Sequence, residues 1–177
     1  RHKGEAKITF GTGAFALMVT GDEVINNPKL GLLPTVAWQK KGKNPFFAVD
    51  GGVYTASAAI NWARSLGLFS DFSEINTFCT PPAIESGLTF VPALTGLGCP
   101  YWDPDARGVW FGLSLDHTSK QMVQSILEGV AFRASEVFDA MNSCIPSNGP
   151  LLIDGGMSKN PYLRRLRNGV FGPHNLS

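Results

Sequence analysis

Ala6-Lys7-Ile8-Thr9-Phe10-Gly11-Thr12-Gly13-Ala14-Phe15-Ala16-Leu17-Met18-Val19 sets a Gly-Thr-Gly tip between two apolar, β-prone runs. The pattern predicts strand, glycine turn, strand: a hairpin over residues 6–20 that ends at Gly21-Asp22-Glu23. Gly11 and Gly13 lack Cβ atoms, so main-chain N–H groups at the tip can approach an anion such as phosphate, and Thr12 adds a hydroxyl at the apex. An ordinary hairpin turn accounts for the same residues. A second glycine site tilts the reading towards a nucleotide. Leu151-Leu152-Ile153-Asp154-Gly155-Gly156-Met157-Ser158-Lys159-Asn160-Pro161 reads as a buried strand, a paired-glycine turn and a helix start. A helix start offers unpaired N–H groups and the positive end of the macrodipole, and a flat purine can lie on a Gly-Gly backbone. Asn160 before Pro161 also fits an N-cap with proline at the first helical position, a role that explains Asn160 without any ligand.

The 177 residues are 44% hydrophobic, enough for one domain with an ordinary core. Fifteen Lys+Arg against fourteen Asp+Glu leave a net charge of +1, so no basic field points to nucleic acid or an acidic membrane surface. No apolar run approaches the roughly 20 residues that span a bilayer, and no signal-peptide core follows Arg1-His2-Lys3-Gly4-Glu5. The expectation is a soluble, cytoplasmic protein. Cys79, Cys99 and Cys144 are widely spaced, as are His2, His117 and His174, which argues for reduced thiols and against a metal site or a Cys/His nucleophilic pair.

Between the glycine sites the pattern alternates. Strands are expected at 32–38 and 46–49, separated by a polar stretch with Lys40, Lys41 and Lys43 that reads as a solvated loop. A helix over 53–66 carries Ala56, Ala59, Ile60 and Ala63 at helical spacing; its small residues admit close packing or a ligand, and Asp50 before Gly51-Gly52 is a candidate cap or ligand contact. A weaker helix over 70–78 stops at Pro81-Pro82, and 88–94 reads as a strand. Residues 95–108 mix glycine, proline, aromatics and charges, with Arg107 placed to pair Asp103 or Asp105. The longest helix spans 118–142, opened by a Thr118/Gln121 capping box, with an apolar stripe from Met122 to Met141 and with Glu128 and Arg133 at its margins. The sum is an α/β layered domain.

Gly108-Val109-Trp110-Phe111-Gly112-Leu113, followed after a gap by Gln121-Met122-Val123-Gln124-Ser125-Ile126-Leu127-Glu128, resembles a signature of the FGGY carbohydrate kinases. Thr95-Gly96-Leu97-Gly98-Cys99-Pro100-Tyr101-Trp102-Asp103-Pro104 and Ala106-Arg107-Gly108 resemble the glycerol-phosphorylating members of that family most closely. The resemblance runs from about Gly4 to Leu166 and is to the family's C-terminal domain.

The resemblance implies an actin-like ATPase domain of the ribonuclease H-like fold over residues 1–166, with a mixed sheet and flanking helices, and an irregular or truncated tail over 167–177. It implies ATP/ADP and Mg²⁺ as cofactors, glycerol as the acceptor, no nucleic-acid or membrane partner, and it allows a homo-oligomer in the whole enzyme. By position, Thr12 and Gly13 match the family's phosphate contacts, Gly156 and Asn160 its adenosine-binding turn, and Phe15 an aromatic that packs on the glycerol carbons. Ser57 and Asn61 match helix positions near the nucleotide where the glycerol-phosphorylating members often carry Gly and Gln, a departure that keeps small polar groups there. The family's catalytic Asp lies in a Gly-Asp-Gln segment upstream of the hairpin, and Arg1-His2-Lys3 does not replace it. The expectation is therefore a nucleotide-binding half that is inactive alone. Two alternatives stay open: another polyol or a pentulose kinase of the family, and a non-catalytic actin-like nucleotide-binding module.

Overall fold

The computed structural model describes residues 2–170. A five-stranded mixed sheet has the order β3-β4-β2-β1-β7, built from β1 (Ala6–Phe10), β2 (Ala14–Gly21), β3 (Leu33–Trp38), β4 (Phe46–Val53) and β7 (Leu152–Asp154). The first four strands pair antiparallel, and β7 joins β1 in parallel, with Lys7 opposite Leu152, Ile8 opposite Ile153 and Thr9 opposite Asp154. Alternation along the opening hairpin sends Ala6, Ile8, Phe10, Ala14, Ala16 and Met18 inward, and leaves Phe15 and Leu17 on the outer face.

Helix α2 (Ser119–Cys144) lies across the inner face, with its start fixed by the expected reciprocal bonds between Thr118 and Gln121. Its C-terminal half, including Val130, Ala134, Val137 and Phe138, packs on the sheet. Its N-terminal half, including Val123, Ile126 and Leu127, builds a second core with α1 (Ser57–Ser65), Phe78, Phe90 and Tyr162 of α3 (Pro161–Val170). The short pair β5 (Thr89–Val91) and β6 (Val109–Phe111) closes that core through the Trp62, Phe90 and Trp110 rings. No helix among the described residues is long and apolar enough to cross a membrane.

Several local expectations need correction. Asp50, Gly51 and Gly52 belong to β4, and α1 starts only at Ser57, so Asp50 caps nothing. Sheet pairing wins because a side chain at Gly51 would crowd Val137 (2.8 Å) and the Cys99 sulfur (3.1 Å), and only bare backbone lets α2 approach. Residues 70–78 form a single 3₁₀ turn, Phe72–Ile75, capped by Asp71. The expected strand over 88–94 shortens to β5, and β6 falls within the first half of the quoted signature.

Arg107 bonds the Pro104 and Ala106 carbonyls, while Asp103 accepts from the Asp105 and Ala106 amides, so the expected ion pair does not form. Glu128 and Arg133 are buried, at 1% and 6% exposure, where the helical pattern had put them at a margin. Arg133 pairs with Glu136, donates to the Cys99 carbonyl (2.6 Å) and lies over the Tyr101 ring, pinning the 99–101 loop to α2. The expected irregular tail from 167 starts inside α3, which continues to Val170; its remainder, 171–177, lies outside the described residues.

Two measurements test this packing. Gly129→Ala adds helix propensity worth about 1 kcal/mol but drives a Cβ into the Phe90 carbonyl of β5, so net destabilisation of about 2 kcal/mol is expected in urea unfolding. Burial raises the Cys99 thiol pKa to about 11, opposed by the nearby Arg133 charge, so iodoacetamide at pH 8 is expected to label exposed Cys79 and spare Cys99.

Candidate functional site

Parallel pairing brings the C-terminal ends of β1 and β7 to the same end of the sheet, and each runs straight into its glycine bend. Gly155 has φ +93° and packs so tightly on the Phe10 backbone that any Cβ there would collide with the Phe10 carbonyl. The two bends are thus in contact. Between them opens a cavity of about 550 Å³, within the roughly 300–1,000 Å³ of small-molecule sites.

The hairpin tip contributes Phe10, Gly11 and Thr12 to the cavity, α1 contributes Ser57, Ile60 and Asn61, and the turn after β7 contributes Gly156, Met157, Lys159, Asn160 and Pro161. Phe72, Ile75 and Asn76 form a further wall, and Leu127 of α2 reaches in from the core. Five expected site residues therefore share one cavity: Thr12, Ser57, Asn61, Gly156 and Asn160. Gly13 and Phe15 do not line it. Gly13 is buried with its Cα turned to the Val53 and Tyr54 carbonyls, where a Cβ would come within 2.6 and 3.0 Å. Phe15 stands on the outer sheet face over Gly52, 54% exposed.

The expected use of helix ends as anion donors is modified. The amides of Ala56 and Ala58 donate to the Thr12 carbonyl (2.8 and 3.2 Å), and that of Ser57 donates to the Gly11 carbonyl (3.1 Å). The start of α1 therefore anchors the glycine tip from behind, and leaves the Thr12 side chain exposed at the cavity. Gly155-Gly156 does not open a helix directly either. A 3₁₀ turn, Met157–Lys159, intervenes, and α3 begins at Pro161.

Asn160 is the cap that the sequence suggests: its Oδ1 accepts from the Leu163 amide (2.9 Å), while its Nδ2 donates to the Ile75 carbonyl (2.9 Å). Gly156, by contrast, has φ −60°, and a Cβ on it would meet nothing within 4 Å. It shows bare backbone to open space.

No carboxylate lines the cavity, and no cluster of three or more His, Cys, Asp or Glu among the described residues is placed to hold a metal ion. Half-burial raises the Asp50 pKa, with the Gly51 amide opposing it; in β4, Asp50 pairs with Leu17 and Leu33. Lys159, Asn76 and the Phe72–Ile75 wall were missed in the sequence; the position of Lys159 just after the paired glycines was the one available signal, whereas Asn76 and the Phe72–Ile75 wall carried none.

The family described as the C-terminal domain of the FGGY family of carbohydrate kinases matches residues 6–172. The glycerol kinase of Thermus brockianus is 39% identical over 170 residues, which covers 96% of this chain and 34% of that protein. Among solved structures, the Plasmodium falciparum glycerol kinase with ADP superposes with a TM-score of 0.81 at 32% identity, over 93% of this chain and 33% of that one. A xylulose kinase from Lactobacillus acidophilus gives 0.79 at 24% identity, over 96% of this chain and 34% of that one, a likeness of fold alone. The chain spans about a third of the length of the curated relatives it matches. The mixed sheet with flanking helices is the actin-like fold of these kinases.

The two adjacent glycines separate by experiment. Gly155→Ala is expected to cost about 2 kcal/mol or more in chemical unfolding, from a positive φ and a backbone collision, whereas Gly156→Ala is expected to stay within about 0.5 kcal/mol of the unaltered chain.

Proposed function

From the premise that this chain belongs to the FGGY family of carbohydrate kinases, we propose that it forms the nucleotide-binding part of a cytoplasmic kinase that transfers the γ-phosphate of ATP to glycerol, giving glycerol 3-phosphate. The observation that carries this reading is the single cavity shared by Thr12 and Gly156, residues from opposite ends of the chain. Gly11 and Thr12, which line the cavity at the hairpin tip, face the phosphates. Ser57 and Asn61 supply small polar contacts along the same side, and the bare Gly156 backbone receives the purine. Asn160, with both amide atoms engaged, shapes that wall rather than reading the base.

Mg²⁺ held by nucleotide phosphates keeps several waters and needs no dedicated protein cage; with no carboxylate in this cavity, any protein ligand to it would come from outside the described site, and the bound ion would supply charge neutralisation at the transferring phosphoryl group. This chain's own contribution is positioning, which dominates phosphoryl transfer. The cavity offers no carboxylate to accept the proton of the acceptor hydroxyl, so in this reading that step falls to groups outside the described site. Exposed Phe15, two residues beyond the Gly-Thr-Gly tip, presents a flat apolar face to the glycerol carbons. Glycerol is favoured over a pentulose because relatives matched at 39–40% identity over nearly the whole chain are glycerol kinases.

Titration with MgADP in a calorimeter tests the binding. Saturable one-to-one binding is expected, with unfolding stability raised by about 2.7 kcal/mol at a free ligand concentration of 100 Kd. Gly156→Val fills the open face without straining the backbone, and is expected to weaken ADP at least about tenfold with the ligand-free unfolding midpoint unchanged. A folded chain that ignores ADP, or a valine variant that binds it equally well, overturns the reading.

A further inference from the structure

Glu128 is a carboxylate at 1% exposure, and among the described residues it has no ion-pair partner. Its charge is met by three donors from two separate segments: the Ala83 amide (2.7 Å), the Ile84 amide (3.1 Å) and the Tyr162 hydroxyl (2.6 Å). Gln124, one turn earlier on α2, is also fully buried. Its Nε2 donates to the Tyr162 oxygen (2.9 Å) and the Pro81 carbonyl (2.9 Å), and its Oε1 accepts from the Thr80 hydroxyl (2.8 Å). Burial first, and the Glu128 hydrogen bond second, raise the Tyr162 pKa, so its hydroxyl stays a donor.

The tethered residues do not line the nucleotide cavity themselves, but each tethered segment continues from one of its walls. Tyr162 follows Asn160 and Pro161, and residues 80–84 follow Phe72, Ile75 and Asn76. The walls also touch each other: Asn160 Nδ2 reaches the Ile75 carbonyl, and the Phe78 and Tyr162 rings meet edge-on at 4.6 Å. An apolar side chain at 128 would fill the space, but it would not hold three donors in fixed directions. A buried carboxylate does, because each lost donor leaves charge unsolvated.

We propose that Glu128, acting through Tyr162 and Gln124, is a positioning group for the adenosine end of the site. It fixes the spacing between the Phe72–Asn76 wall and the Gly156–Pro161 wall, and so the width of the slot that takes the base. This rests on the nucleotide reading given above.

The test uses two variants and a control. Tyr162→Phe removes the hydroxyl but keeps the ring on Phe78, and Glu128→Gln keeps the shape but turns one acceptor into a donor facing donors. Ile145→Ala thins the other core and serves as a destabilised control. ADP is expected to bind at least about tenfold more weakly to both variants and within about twofold of normal to the control. Amide exchange is expected to rise together over 75–84 and 156–166 in ligand-free Tyr162→Phe. Unchanged ADP affinity in folded Tyr162→Phe, an equal loss in the control, or unaltered exchange overturns the proposal; if Glu128→Gln fails to fold, Tyr162→Phe decides alone. An unaltered chain that binds no ADP overturns the nucleotide reading instead, and the exchange measurement then decides whether the clamp exists.

Discussion

The parallel ladder between β1 and β7 is the constraint on which the site depends. Ile8 and Ile153 lie at opposite ends of the chain, yet their pairing fixes that both strands point the same way and end at the same edge. Everything beyond those ends follows from geometry. Parallel strands cannot be joined by a tight turn, so the intervening chain must leave the sheet, cross it and return, and it does so as α2 on the inner face. The crevice beyond the carboxyl ends of strands is where open α/β sheets bind ligands.

Helix α2 does two jobs along its length. Its C-terminal half is a packing surface, close enough to β4 that Gly51 must remain bare and close enough to the loop after β5 that Arg133 can pin residue 99. Its N-terminal half carries Gln124 and Glu128 in a buried row beside the apolar stripe, with Leu127 between them reaching the cavity. The second half of the signature thus has distinct physical roles: Gln121 closes the cap, Glu128 gathers the Ala83 and Ile84 amides, Gln124 donates to the Pro81 carbonyl, and Ser125 receives the Trp110 indole (3.0 Å) from the signature's first half. Two phrases separated in sequence prove to be one packed unit.

The glycines divide by what surrounds them rather than by motif. Gly13, Gly51 and Gly155 are bare because neighbouring backbone or side chains leave no room for a Cβ. Gly156 has room, so steric demand of the fold does not explain it; it lines the cavity with bare backbone. Ser57 and Asn61 reach the same cavity from α1, whose first amides are spent on holding the tip. Adjacent residues such as Gly155 and Gly156 look alike as letters and differ completely in cause.

Local order was legible wherever a short-range rule sufficed. Period-two alternation gave the hairpin, the Thr118/Gln121 box gave the start of α2, and the Asn160-Pro161 pair gave the cap of α3. The sequence by itself also determined, through its signature phrases, the family whose fold appears. Tertiary structure alone decided that Asp50–Val53 extends a strand instead of opening a helix, that Glu128 is buried rather than marginal, and that Asn76 and the Phe72–Ile75 turn wall the cavity. The reason is common to all three. A strand's partners, a carboxylate's donors and a cavity's far wall come from residues distant along the chain, and periodicity within one segment carries no information about them.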